Sequence, residues 1–191
     1  VANLPKGTFN MVFGYGRETG QAIVEDEKIN LISFTGGTVT GKIVAKTAAP
    51  LFKKLSLELG GKNPTIVFDD CDFDKTVAGV KMAAFANQGQ VCLCGSRILV
   101  QEGIYDKFVA AFVAKVKSAT IIGDPSDAKT NMGSMVSLAH RKKIEYYCKL
   151  ALEEGGKIEY GGKAPTTLHC TDAKRATLML QNGAFFEPTI I

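Results

Sequence analysis

The chain has no tryptophan, only two histidines and only six prolines in 191 residues. The histidines, His140 and His169, are far apart and match no metal-ligand spacing, so no metal centre is expected, and neither is placed to form a triad with a cysteine. No run approaches the roughly 18 consecutive apolar residues of a membrane span, and the first residues lack the basic-then-apolar order of a secretory leader. The chain opens at Val1 without a methionine, which fits a fragment or a processed product. Its five cysteines, Cys71, Cys92, Cys94, Cys148 and Cys170, are odd in number and form no C-x-x-C pair, so a reducing, cytoplasmic setting is the simpler expectation. An excess of one charge is lacking too. The net charge of +4 is dispersed, and its densest run, Arg141 to Lys143, reads as a solvated helix face rather than a nucleic-acid contact.

What is present is enough for a core: hydrophobic residues make up 46% of the chain. Apolar runs rich in β-branched residues alternate with helical periods, and this alternation predicts an α/β layered fold. Strands are expected at Phe9 to Phe13, Leu31 to Phe34, Leu55 to Leu59, Thr65 to Phe68, Arg97 to Val100 and Lys157 to Tyr160. Asp72 can cap a helix whose apolar face carries Val77, Val80, Ala84 and Phe85. Phe108, Phe112, Val113 and Val116 make a second stripe, and Ile144, Tyr147, Cys148 and Ala151 a third, stopped by Gly155 and Gly156. Gly60 and Gly61 followed by Asn63-Pro64 break the pattern, which places a domain junction between residues 1–60 and 61–191. The stretch from Gly161 to Gly183 carries a short apolar run, Leu178 to Leu180, with no assigned element.

Four motifs carry chemistry. GYGRETG at 14–20 and FTGGTVTGK at 34–42 each read as a strand, a glycine turn and a helix start, the second with Thr38 or Thr40 available as a cap. Such a turn can hold a pyrophosphate against free backbone N–H groups, or it can be a plain glycine-rich connection; two in tandem favour a dinucleotide. In AFANQGQVCLCGSR at 84–97, Cys92 follows Gln88-Gly89-Gln90, whose backbone can close around a thiol. Cys92 is either a nucleophile or a small buried hydrophobe, and Cys94 is expected to be structural or accessory. In LELGGKNP at 57–64, Glu58 stands between Leu57 and Leu59, either ion-paired at a strand end or desolvated enough to act as a general base.

With these residues in order, the chain resembles aldehyde dehydrogenases of the NAD(P)-dependent superfamily nearly end to end, from LPKGTFNMVFGYG through the three later motifs to FFEPTII at 185–191. Cys-Leu-Cys at 92–94 further resembles the branch acting on muconate-type semialdehydes. The resemblance implies an α/β, aldehyde dehydrogenase-like fold with parts of two Rossmann-like layered domains: the later part of a coenzyme-binding domain at 1–60, and the earlier part of a catalytic domain at 61–191. It implies a small-molecule aldehyde as substrate and NAD or NADP as cofactor. Cys92 would attack the aldehyde, its backbone N–H would help hold the oxyanion, and Glu58 would activate the water that hydrolyses the thioester. Gly36, Gly37, Thr38, Val39, Thr40 and Gly41 fall on the nucleotide-binding turn, Gly16 and Gly20 border the adenosine side, and His140 lies near the cofactor. Gly37 stands where many members carry serine. The family's oxyanion asparagine, ribose-binding lysine and Glu-Phe motif fall outside the chain, so it alone is expected to be inactive, and its full-length parent to be a homodimer or homotetramer. The competing expectations are a non-catalytic structural or binding protein of this fold and a cysteine hydrolase.

Overall fold

The computed structural model describes residues 3–191. It forms two compact units, the first ending at Gly61 and the second beginning at Lys62.

The first unit is a parallel β-α-β arrangement. Strand β1 (Leu31–Gly36) pairs with β2 (Lys54–Leu59) in a register running from Leu31 opposite Lys54 to Gly36 opposite Leu59. A short helix α1 (Gln21–Glu25) precedes β1, and α2 (Thr38–Ala48) makes the crossover. Val24, Ile32, Val44 and Ala48 are buried together, with Ile29, Phe34 and Leu57 packed against them. Side chains alternate across a strand, so Leu57 faces this core and Glu58 points away from it. Lys53 is buried just before β2, and its ammonium donates to the Asp26 and Ile29 carbonyls, which replace the water it loses.

The strand expected at Phe9 to Phe13 is absent. Residues 9–13 form no ladder, and Phe9 and Phe13 are 72% and 85% exposed. Their apolar spacing satisfies the period of a strand, but no neighbouring strand lies there to take the backbone bonds. Gly16–Gly20 is instead a wide helical turn leading straight into α1.

The second unit repeats the parallel pairing with a larger core. Strands β3 (Pro64–Val67) and β4 (Arg97–Val100) pair from Pro64 opposite Arg97 to Val67 opposite Val100. Helix α3 (Phe73–Phe85) crosses between them, and Asp72 caps it by accepting from the Lys75 N–H at 3.4 Å, as the sequence predicts. Val77 and Val80 from α3 meet Val67 and, from α4 (Tyr105–Ala119), Phe108, Phe112 and Val116. The rings of Phe108 and Phe112 stack at 5.7 Å, and Phe73 meets Phe108 edge-on at 6.3 Å. Phe108 is 1% exposed. Phe108→Ala is therefore expected to destabilise this unit by about 3–5 kcal/mol, read as a lower urea midpoint at unchanged slope.

Helix α5 (Leu138–Glu153) follows the expected third stripe, capped by Ser137 and closed beyond Glu154 by Gly155 at φ +88°. Cys148 is buried on it while Tyr147 is exposed. Lys157 to Tyr160 is not a strand: only Tyr160 bridges, antiparallel to Ile190, because Gly161 and Gly162 turn away at φ +77° and +78°. The unassigned stretch contains a further helix, α6 (Ala173–Asn182), capped by Asp172, which accepts from the N–H groups of Lys174 and Arg175.

An ion pair joins this last helix, and a histidine contact the residues just before it, to the segment after α4. Arg175 grips the buried Asp124 at 2.7 and 2.9 Å, and His169 lies 3.0 Å from Asp127. The Ser126 backbone N–H, then the Ser126 hydroxyl and Arg175, hold the Asp124 carboxyl below its ordinary value; the Lys129 N–H and then His169 do the same for Asp127. In acid the unfolded chain takes up these protons before the folded one, so the stability they contribute is present above about pH 4 and lost as pH falls through the lowered values. Protection factors for hydrogen exchange across residues 121–131 and 169–182, taken relative to the intrinsic rate at each pH, are accordingly expected to fall on acidification below about pH 4, ahead of those in α4.

Candidate active site

The glycine turn of the first unit is built by the passage from β1 to α2. Gly37 is the N-cap residue, extended at φ −73° and ψ 145°, with no side-chain cap. The threonines expected to cap lie inside the helix instead, Thr38 at its first position and Thr40 at its third. Since the helix's first hydrogen bond is Gly41 N–H to the Gly37 carbonyl at 3.0 Å, the N–H groups of Thr38, Val39 and Thr40 remain at an exposed helix start. That donor set fits a pyrophosphate, which also gains from the positive end of the helix dipole. Gly36 and Gly41 serve packing. A Cβ on Gly41 would come within 2.6 Å of Leu59 Cδ2, so its bare backbone lets α2 lie close on β2, and a Cβ on Gly36 would meet the Phe34 ring at 2.5 Å.

The turn at Gly16–Gly20 differs. The Glu18 and Thr19 N–H groups both donate to the Tyr15 carbonyl, at 3.0 and 2.9 Å, so they are already committed. Gly16 is exposed and Gly20 half-buried. With those two donors committed, this turn lacks the open N–H set seen at Thr38 to Thr40.

Glu58 is exposed on the face of β2 opposite α2 and joins none of the ion pairs among the described residues. The expected strand-end ion pair is therefore absent among the described residues, and the carboxylate is open to solvent in this chain. Leu57 and Leu59 take the buried side of the strand, and its period of two leaves Glu58 facing outward.

In the second unit the thiols separate as expected. Cys92 is exposed and Cys94 is buried, and a tight turn divides them, with the Cys94 N–H donating to Val91 at 3.0 Å. The approach is unusual: Asn87, Gln88 and Gly89 all take left-handed angles, at φ 50°, 57° and 70°. Such angles persist where neighbours enforce them. Gln88 Nε2 donates to the Ser134 carbonyl at 3.2 Å, and Asn87 Nδ2 to Gln90 at 3.3 Å. Downstream, the Gly95 N–H donates to Ala83 at 3.1 Å, and a Cβ on Gly95 would collide with Thr65 Oγ1. Among the described residues no backbone carbonyl accepts the Cys92 N–H.

Sequence reasoning treats Asn63 only as the residue before a proline, yet its Nδ2 donates to the Cys92 carbonyl at 2.7 Å. No spacing rule marks such a contact, since 29 residues separate the partners. His140 lies half-buried in the first turn of α5, its N–H donating to Ser137 Oγ at 3.1 Å.

The parallel β-α-β pairing in each unit defines an α/β protein, one unit carrying an open glycine turn ahead of a helix and the other an accessible thiol on a braced loop. The chain belongs to the aldehyde dehydrogenase family, whose model matches residues 1–191. It is 43% identical to betaine aldehyde dehydrogenase of Bacillus subtilis over 99% of this chain and 36% of that protein. It is 41% identical to 2-aminomuconic semialdehyde dehydrogenase of Homo sapiens over 100% of this chain and 37% of that protein. The crystal structure of betaine aldehyde dehydrogenase from Staphylococcus aureus in complex with NAD+ matches with a TM-score of 0.86 at 44% identity, covering 98% of this chain and 35% of that one. The chain thus spans about a third of the length of the curated relatives it matches. Among the described residues no helix is long and apolar enough to cross a membrane, and no cluster of metal-ligating side chains occurs.

Proposed function

We propose that this chain is part of an enzyme that oxidises an aldehyde to a carboxylic acid with NAD+, with Cys92 as nucleophile and Glu58 as general base. The observation carrying it is the Cys92 loop, which leaves the thiol exposed beside an N–H with no backbone acceptor and fixes the strained approach with side-chain amides. The Cys92 sulfur adds to the carbonyl carbon, and the Cys92 N–H donates to the oxygen as it gains charge. When bound, the dinucleotide supplies the hydride acceptor. A thioester on Cys92 results; Glu58 removes a proton from water, the oxygen adds to the acyl carbon, and the carbon–sulfur bond breaks, its electron pair returning to Cys92 as thiolate while the carboxylic acid departs.

The first unit is then the later part of a coenzyme-binding domain and the second the earlier part of a catalytic domain. Thr38, Val39 and Thr40 would hold the pyrophosphate through their N–H groups, with Gly37 leaving room and Gly36 and Gly41 setting the turn's shape. Gly16 and Gly20 would border the adenosine, and His140 the cofactor's neighbourhood. The named activities of the relatives support a semialdehyde or betaine-type aldehyde as substrate, and the NAD+ complex supports NAD over NADP. Five free cysteines support a reducing, cytoplasmic setting, and for the whole protein we propose the homodimer or homotetramer that the resemblance implies.

Supplying the whole enzyme with NAD+ and a panel of these aldehydes is expected to give aldehyde-dependent reduction of NAD+. Absence of reduction across the panel would refute the reading.

A further inference from the structure

We propose that Asn63 is a positioning residue for Cys92: its side-chain amide ties down the backbone of the thiol-bearing turn, so that the Cys92 sulfur and N–H address one carbonyl together. The inference rests on the reading of Cys92 as the nucleophile.

Three features make Asn63 a fixed point. Pro64 restricts it to extended backbone, and its carbonyl accepts from the Arg97 N–H at 3.3 Å, beside the first pair of the β3–β4 ladder. Its amide is therefore carried by the rigid start of a strand, not by a loop. From there Nδ2 donates to the Cys92 carbonyl at 2.7 Å and lies 3.5 Å from the Cys94 carbonyl, so one NH2 group spans both sides of Leu93.

The turn needs such a brace. Its other bonds are the local Cys94 N–H to Val91 at 3.0 Å and Ser96 N–H to Cys94 at 2.9 Å, which shape the turn, and Gly95 N–H to Ala83 at 3.1 Å, which ties its far end to α3 but not to the sheet. Upstream lie the three left-handed residues at 87–89, whose preferred angles would draw the segment elsewhere. Asparagine suits the position because it is neutral and offers two hydrogens. Aspartate has nearly the same shape but would set a carboxylate against carbonyl oxygen.

The test uses the whole enzyme with NAD+ and its best aldehyde, comparing Asn63→Asp, Asn63→Ala and Cys92→Ala. Misplacement of a nucleophile predicts a kcat lower by about 10- to 100-fold in both Asn63 variants, with KM for NAD+ within about twofold of the parent value. Cys148, buried on α5, reports the fold: it is expected to stay closed to iodoacetamide in both variants. Parental kcat in Asn63→Asp overturns the proposal. So does loss of activity accompanied by labelling of Cys148, because the contact would then hold the fold rather than the thiol. Turnover by Cys92→Ala locates the fault in the nucleophile assignment instead, whereas an inactive Cys92→Ala beside a fully active Asn63→Asp isolates it to Asn63.

Discussion

In the whole enzyme, if Cys92 is the proposed nucleophile, Cys92→Ala is expected to lower aldehyde-dependent NAD+ reduction by about 10⁴-fold or more, since removal of a covalent nucleophile leaves only binding and orientation to act on the substrate. The loss should be in kcat, with NAD+ binding preserved, because the turn proposed to hold the pyrophosphate, at Gly37, contains neither Cys92 nor its loop. Cys94→Ala provides the contrast. That thiol is 8% exposed and packed, so trimming it should act on stability, with turnover within a few-fold of the parent. Steady-state kinetics on the two variants decides the matter, and comparable turnover by both would reassign the chemistry away from residue 92.

The second large effect is expected of Glu58→Gln. The amide keeps the shape of the carboxylate but cannot take a proton from water, so hydrolysis of the thioester slows by about 10²- to 10³-fold while its formation continues. A stopped-flow trace should then show a burst of NAD+ reduction approaching one equivalent per Cys92, followed by slow turnover. Intact-mass analysis during the slow phase should find the acyl group on the Cys92 peptide. A steady-state rate equal to the parent's, with no burst, removes Glu58 from the mechanism.

The elements most legible in the sequence are those whose partners lie nearby along the chain. Asp72 and the Val77 to Phe85 stripe define α3, and Phe108 to Val116 define α4, because cap and period are local signals that packing reinforces. Arg97 to Val100 is a strand as read, since its apolar run has Pro64–Val67 to pair with. Phe9 to Phe13 has the same local pattern and no partner, and so does not form a strand. Helix α6 was hidden by its composition. Lys174, Arg175, Thr177, Gln181 and Asn182 mask the period, and the helix is tied down by the Arg175 pair with Asp124, 51 residues away. Glu58 and Cys92 stand out through the motifs around them. Their surroundings do not: the exposure of Glu58 follows from strand facing, and the brace from Asn63 follows from tertiary folding alone.

The facing of β2 also constrains how this segment can vary in length. Leu57 turns toward the helix and Glu58 away, with Thr35 opposite Glu58 in the register. Adding or deleting a single residue between Lys54 and Leu57 would exchange these faces, burying the carboxylate and exposing the leucine. Two at once restore the facing. Natural variation in this strand should therefore come in even steps, and any odd change should be matched by a compensating bulge.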